Sequence, residues 1–224
     1  MDGNGRWARA RGLERIEGHW EGYRTLKRIV YAADEIGIRF LTVYGFSSEN
    51  WRRPGREVQG LMRLMLTAMK AEIDELIANG IRVRVIGRME ELPDDLRDEF
   101  ECAMHRTRSY TRMTFTLAIN YGGRLEIVDA VRSVARDVAR GELLPDEIGP
   151  QTISDRLYAP DIPEPDLLIR TAGEMRLSNY LLWQSAYAEL WTTPTLWPDF
   201  SPERLAEAVR DYQGRTRRFG AVVE

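Results

Sequence analysis

Three short segments collect side chains of the kinds that handle anions. The first is Asp2-Gly3-Asn4-Gly5-Arg6-Trp7. Its two glycines allow a tight turn that presents backbone N–H groups to an anion. Asp2 is a hard oxygen ligand suited to Mg²⁺ against a diphosphate, and Arg6 and Arg15 can neutralise the remaining charge. No Gly-Lys-Ser/Thr follows, so this is not a Walker loop, and a dinucleotide fingerprint would need a third glycine. The second segment, Phe46 to Pro54, gathers the hydroxyls of Ser47 and Ser48, the Glu49 carboxylate, the Asn50 amide and the guanidiniums of Arg52 and Arg53. The third, Arg170 to Asn179, sets Arg170, Arg176 and Ser178 around Gly173, a set that can grip phosphate bidentately. Taken singly, these segments also read as a plain turn, a solvated loop capping a helix and an exposed salt-bridged loop. Together they supply one acidic metal ligand and several arginines, which is what a site for two diphosphates needs.

The elements that must position these groups alternate between helix and strand. Tyr23, Leu26, Val30 and Ala33 share a helical face that ends near Gly37. Residues 40–44 read as a buried strand. Val58, Leu61, Met62, Met65, Leu66, Met69, Ile73 and Leu76 form a long helical stripe, closed by Asn79-Gly80. Strands follow at 83–86, 115–119 and 167–169, and a further one at 189–191. Helices are expected after Pro93, after Gly123, and from Ser201 to about Arg217. The pattern predicts an α/β fold, a single domain with a central, mostly parallel β-sheet flanked by helices. Ligands in such sheets bind beyond the carboxyl ends of the strands, where the second and third segments fall.

Composition narrows the function classes. The chain has 224 residues, 43% hydrophobic and 30% charged, with a formal net charge of −3. That balance excludes a generic nucleic-acid binder. A single cysteine, Cys102, excludes an intrachain disulfide and fits a reducing, cytoplasmic setting. Cys102 is expected to be a small buried residue inside a helix. No apolar run approaches bilayer length; transient contact with a membrane surface through substrate or product is compatible with this. His105 reads as a surface helix residue. Asp94-Asp95-Leu96-Arg97-Asp98 fits the DDxxD pattern of trans-type prenyl synthases. It follows Pro93, where acidic residues favour the helix dipole, and is read as a helix start.

The whole chain resembles the cis-prenyltransferase family, which includes bacterial undecaprenyl diphosphate synthases. The matching motifs are MDGNGRWA, Gly18-His19, FSSENWRRP at 46–54, NYGGR at 120–124, DLLIRTAGEMRLSNYLLWQSAYAEL at 166–190, WPDF at 197–200 and RRFG at 217–220. The resemblance implies a soluble, Mg²⁺-dependent enzyme that adds isopentenyl diphosphate to an allylic diphosphate. Asp2 matches the catalytic, metal-binding aspartate. Gly3, Asn4, Gly5, Arg6 and Arg15 match groups holding the allylic diphosphate, with Trp7 and His19 beside them. Ser47, Ser48, Glu49, Asn50, Trp51 and Arg53 match a loop that organises both substrates, with Asn50 assisting proton removal. Arg170, Arg176, Leu177 and Ser178 match the isopentenyl diphosphate site, and Glu189 a second metal ligand. Arg218 and Gly220 match a tail, residues 215–224, that reaches the partner's active site in a homodimer. The helix bearing Met62 to Met69 matches one lining a hydrophobic tunnel, and Gly45 a tunnel position near the primer. A medium-to-long product such as undecaprenyl diphosphate is implied. A short-chain synthase and a weakly active or non-catalytic subunit are the alternatives.

The sequence departs from that pattern in three places. The apolar strand that usually precedes the aspartate is absent before Asp2, so either the start is truncated or the sheet lacks its first strand, in which case Asp2 is expected to lack its usual support. Trp20 stands where a basic residue is common, and Met175 where Gln or His is common.

Overall fold

The computed structural model describes residues 1–216. The RRFG segment therefore lies outside the described residues, together with Arg218 and Gly220. The chain forms two compact units. One comprises Met1–Arg39, Glu164–Arg176 and the chain from Gln184 to the last described residue; the other comprises Phe40–Pro163 and Leu177–Trp183.

The second unit holds a three-stranded parallel sheet. Its strands are β1 (Phe40–Ser47), β2 (Ile81–Ile86) and β3 (Met113–Tyr121), in the order β1-β3-β2. All nine residues of β3 are buried, as expected of a central strand covered on both faces. The crossovers carry α3 (Gly55–Ala78) and α4 (Asp94–Thr107), and α5 (Gly123–Ala139) and the short α6 (Pro150–Ser154) follow β3. The α3 stripe divides: Val58, Leu61, Met62, Leu64, Met69, Ile73 and Leu76 are buried, whereas Met65 and Leu66 are half-buried. At the carboxyl end of β1 the register slips between Tyr44 and Phe46 and again before Ser47. Such a bulge bends the strand and re-aims the loop that follows.

The first unit holds α1 (Asn4–Ala10), α2 (Arg15–Glu35), the parallel pair β4 (Leu167–Arg170) and β5 (Glu189–Thr192), and α7 (Pro202–Gln213). The α/β class and the parallel pairing agree with the sequence. Among the described residues, however, the strands form two sheets, because β4 and β5 pair only with each other. The segment Asp2 to Trp7, read as a glycine turn, instead enters helix α1 at Asn4. Gly3 caps it at φ 110°, a conformation that L side chains rarely adopt, and a Cβ there would lie 2.9 Å from Leu196. The last helix stops at Gln213, short of Arg217, with Gly214 as its cap.

Asp94 and Asp95 occupy the first turn of α4, and Asp95 accepts a hydrogen bond from the Leu96 N–H, so the DDxxD segment does begin a helix. His105 is exposed, as expected. Cys102 is also exposed, against expectation. The buried face of α4 is Leu96, Phe100, Ala103 and Thr107, which turns position 102 outward. No helix among the described residues is long and apolar enough to cross a membrane.

Candidate active site

In the first unit, Asp2 is anchored through its backbone. Its N–H donates to Thr171 Oγ1 at 2.9 Å, the Thr171 hydroxyl donates back to the Asp2 carbonyl at 2.9 Å, and the Trp197 N–H donates to the same carbonyl at 2.9 Å. The expected lack of support at Asp2 is thus not what the structure shows. The turn after β4 and the Trp197 backbone provide it.

The Asp2 carboxylate belongs to a closed ring of ions. Arg170 Nη2 donates to Asp2 Oδ2 at 2.9 Å, and Arg6 Nη2 lies 3.5 Å from Asp2 Oδ1. Arg6 also reaches Glu174 at 3.2 Å and the Ala172 carbonyl at 3.0 Å. Glu174 pairs with Arg176, whose carbonyl accepts from Arg170 at 2.8 Å. Three guanidiniums face two carboxylates, leaving one positive charge in excess. The Arg170 side chain is only 16% exposed, and its buried Nε–H has no acceptor among the described residues. Burial pushes the Asp2 pKa up, but the hydrogen bond and charge of Arg170, with the charge of Arg6, outweigh it and hold the carboxyl below its ordinary value.

Helix α2 adds Arg15 and His19. The Arg15 guanidinium lies 2.9 Å from where a Cβ on Gly5 would stand, so it covers the first turn of α1. The His19 ring lies 3.3 Å from the Asn4 amide. Trp7 Nε1 donates to Asp199 at 2.7 Å, which ties the far end of α1 to the WPDF segment.

Glu189 does not join this cluster. It pairs across the strands with Leu167, whereas Arg170 pairs with Thr192, a separation of three residues or about 10 Å along β4. Its carboxylate instead accepts from Arg215 at 2.9 Å. Among the described residues, no group of three or more His, Cys, Asp or Glu is arranged to hold a metal ion. Met175 is 84% exposed and adds no hard ligand.

In the second unit, residues Ser48–Arg52 form a 3₁₀ turn directly after the β1 bulge. Asn50 Oδ1 accepts from the Ser47 N–H at 3.2 Å, so the amide assigned to proton removal also caps its own turn. Trp51 Nε1 donates to Asn120 Oδ1 at 2.7 Å, and its ring meets Phe46 edge-on at 5.1 Å. Asn120 is buried, has φ 47°, and also donates to the Arg88 carbonyl and to Glu91, both at 2.9 Å. Arg53 pairs with Glu57 at 3.1 Å. Ser178 has φ 50° and is exposed, and Leu177 is half-buried.

Thr171, Glu174, Asn120 and Asn179 are functional-site neighbours that sequence reasoning left without roles. Glu174, set between Arg170 and Arg176, could have been read as the bridge between them; nothing in the sequence points to Asn120 as the anchor of Trp51.

The sequence model described as putative undecaprenyl diphosphate synthase matches residues 1–220. The chain belongs to this isoprenyl transferase family. An isoprenyl transferase from Heliobacterium mobile is 51% identical over 99% of the chain and 85% of its own length. One from Thermotoga maritima is 47% identical over 100% of the chain and 95% of its own length. Among solved structures, lavandulyl diphosphate synthase from Lavandula x intermedia, in complex with dimethylallyl diphosphate, superposes with a TM-score of 0.96. It is 38% identical and covers 98% of this chain and 95% of its own. A probable undecaprenyl diphosphate synthase from Campylobacter jejuni gives a TM-score of 0.79 at 30% identity, covering 89% and 92%. Within this family the chain is a prenyltransferase, an enzyme of isoprenoid biosynthesis.

Proposed function

We propose that this protein is a Mg²⁺-dependent cis-polyprenyl diphosphate synthase. It condenses isopentenyl diphosphate with an allylic diphosphate such as farnesyl diphosphate and makes a medium-to-long product of the undecaprenyl type. The observation that carries the reading is the ring around Asp2: an excess cation and a buried, unfilled Arg170 donor call for an anion with several oxygens.

Asp2 suits Mg²⁺, which is commonly held by one or two carboxylates together with substrate phosphates rather than by an all-protein cage. When bound, the ion would neutralise charge on the diphosphate. Arg6 and Arg15 hold the allylic diphosphate; Arg170 and Arg176 hold isopentenyl diphosphate. As the allylic C1–O bond breaks, C1 bonds to the alkene carbon of isopentenyl diphosphate. The guanidiniums stabilise the leaving diphosphate, and a proton is then lost to give the cis double bond. Glu189, which the resemblance matches to a second metal ligand, accepts from Arg215 in the structure, and a metal role for it would require that pair to open.

The deciding assay incubates purified protein with labelled isopentenyl diphosphate, Mg²⁺ and either farnesyl or dimethylallyl diphosphate. Chain elongation supports the proposal; no incorporation with either primer leaves a non-catalytic subunit.

Arg170→Ala and Arg176→Ala are expected to raise the KM for isopentenyl diphosphate by about tenfold or more, the scale of a lost charge-assisted hydrogen bond. Initial rates with each substrate varied in turn check this. A change confined to the allylic substrate reverses the assignment of the two sites.

Product length is proposed to depend on Gly45. A Cβ there would lie 2.6 Å from the tip of the buried Ile119 side chain, with the Ala118 carbonyl next at 3.6 Å. A larger residue must displace Ile119 or project away from the strand, into the space proposed for the growing chain. Half-buried Met65 and Leu66 offer apolar surface in the same unit. Gly45→Leu is expected to shorten the product, read by reversed-phase chromatography, while isopentenyl diphosphate still binds. An unchanged product distribution removes Gly45 from length control.

A cytoplasmic homodimer completes the proposal. Exposed Tyr187 and Leu190 favour burial against a second copy. Light scattering at micromolar concentration is expected to give a dimer mass; a monomer mass contradicts it.

A further inference from the structure

Three residues in the four-residue stretch 178–181 have positive φ: Ser178 at 50°, Asn179 at 63° and Leu181 at 44°. Non-glycine residues seldom adopt this region, and a cluster of them persists only where surrounding contacts over-determine the backbone. Leu181 is held in a core with Ile86, Ala118 and Tyr121. Asn179 is held by a different set of contacts. Its carbonyl accepts from the Gly123 N–H at 2.7 Å, and its Oδ1 accepts from the Arg124 N–H at 2.8 Å, which satisfies two N–H groups in the first turn of α5. Its Nδ2 donates to Glu49 Oε1 at 2.7 Å. The junction is crowded: a Cβ on Gly122 would lie 2.7 Å from Ser48 Oγ and 2.8 Å from Asn179 Nδ2.

We infer that Asn179 is a positioning residue for the 46–54 loop, fixing Glu49 to the first turn of α5. The role rests on the prenyltransferase reading, in which that loop organises both substrates. Asparagine suits the place because it tolerates a left-handed backbone and its one amide both accepts and donates. The other end of the loop is pinned separately, by the Trp51 bond to Asn120. Burial alone would push the Glu49 pKa up, and the Asn179 donor is the chief opposing effect that leaves it lowered.

The test uses a charge swap on the full chain. Asn179→Asp keeps the acceptor for α5 and the tolerance of positive φ, but it sets two carboxylates face to face. Glu49→Gln in the same chain restores one donor and one acceptor. Hydrogen exchange without substrate is expected to quicken about tenfold across residues 47–53 in Asn179→Asp and to return to the parent rate in the double variant, while residues 123–126 stay protected throughout. Turnover is expected to fall about tenfold to a hundredfold on Asn179→Asp in the Glu49 background, and by much less in the Glu49→Gln background. Unchanged loop exchange in Asn179→Asp, or an equal loss of turnover in both backgrounds, overturns the inference. A parent protein without turnover defeats the proposed function instead, and the exchange cycle still decides the role of Asn179.

Discussion

Asp2→Ala is expected to lower kcat by roughly 10²–10³-fold or more, with little loss of fold. Truncation removes the carboxylate proposed to meet a metal beside the diphosphate, an electrostatic loss of the size seen when preorganised groups are deleted from active sites. It leaves the backbone bonds to Thr171 and Trp197 in place, because these use the Asp2 N–H and carbonyl. It also frees Arg170 and Arg6 from their partner. Diphosphate affinity should therefore hold or rise while turnover is lost, a split that simple unfolding cannot produce. Removing Mg²⁺ from the parent with a chelator is expected to reproduce the kinetic loss. Because the folded pKa of Asp2 lies below its ordinary value, the stability contributed by the Arg170 pair is fully present above about pH 4 and is lost as pH falls through the lowered value. A fall in activity near neutral pH thus has another source. Normal turnover by Asp2→Ala would remove the metal assignment.

The sequence was most legible where hydrophobic period decides structure. The central strand β3 and the long helix α3 show in the sequence, β3 as a short, mostly apolar run buried on both faces and α3 as an apolar stripe with a period of 3.6 residues. Helix α1 was not legible. It spans seven residues, begins beside two glycines and buries only Ala8, so local chemistry read it as a turn. Pairing partners were equally hidden: the composition of β4 does not say that it joins β5 rather than the three-stranded sheet. At the site, the charged residues announced themselves, but their partners did not. Glu189 stands in a family motif, yet the register of β4 and β5 carries it toward Arg215 and away from Asp2. Asn179 closes a recognisable motif, but its link to Glu49 spans 130 residues of sequence and no local pattern encodes it.

Gly18→Ala is expected to be as damaging as a direct hit on the ring of ions, although residue 18 carries no chemistry. In an open helix this exchange would stabilise by up to about 1 kcal/mol, because alanine loses less backbone freedom on folding. Here α2 crosses α1 at Gly18, and an added Cβ would lie 2.2 Å from the Asn4 carbonyl oxygen and 3.0 Å from the Ala8 Cβ. The obstructing oxygen belongs to a helix backbone and cannot swing aside, so α1 itself must shift. Overpacking of this kind costs about 1–3 kcal/mol, which outweighs the helix-propensity gain. The displaced helix carries Arg6, follows directly on Asp2 and brings Asn4 to His19. A misplacement of about 1 Å there is enough for a loss of roughly 100-fold in kcat/KM. Gly55→Ala serves as the comparison: the same substitution at the first residue of α3 meets nothing within 4 Å and is expected to leave both Tm and rate unchanged. Thermal melts and steady-state rates of the two variants decide the matter. Parent-like stability and activity in Gly18→Ala would mean that α1 and α2 do not pack closely enough for a glycine to be required.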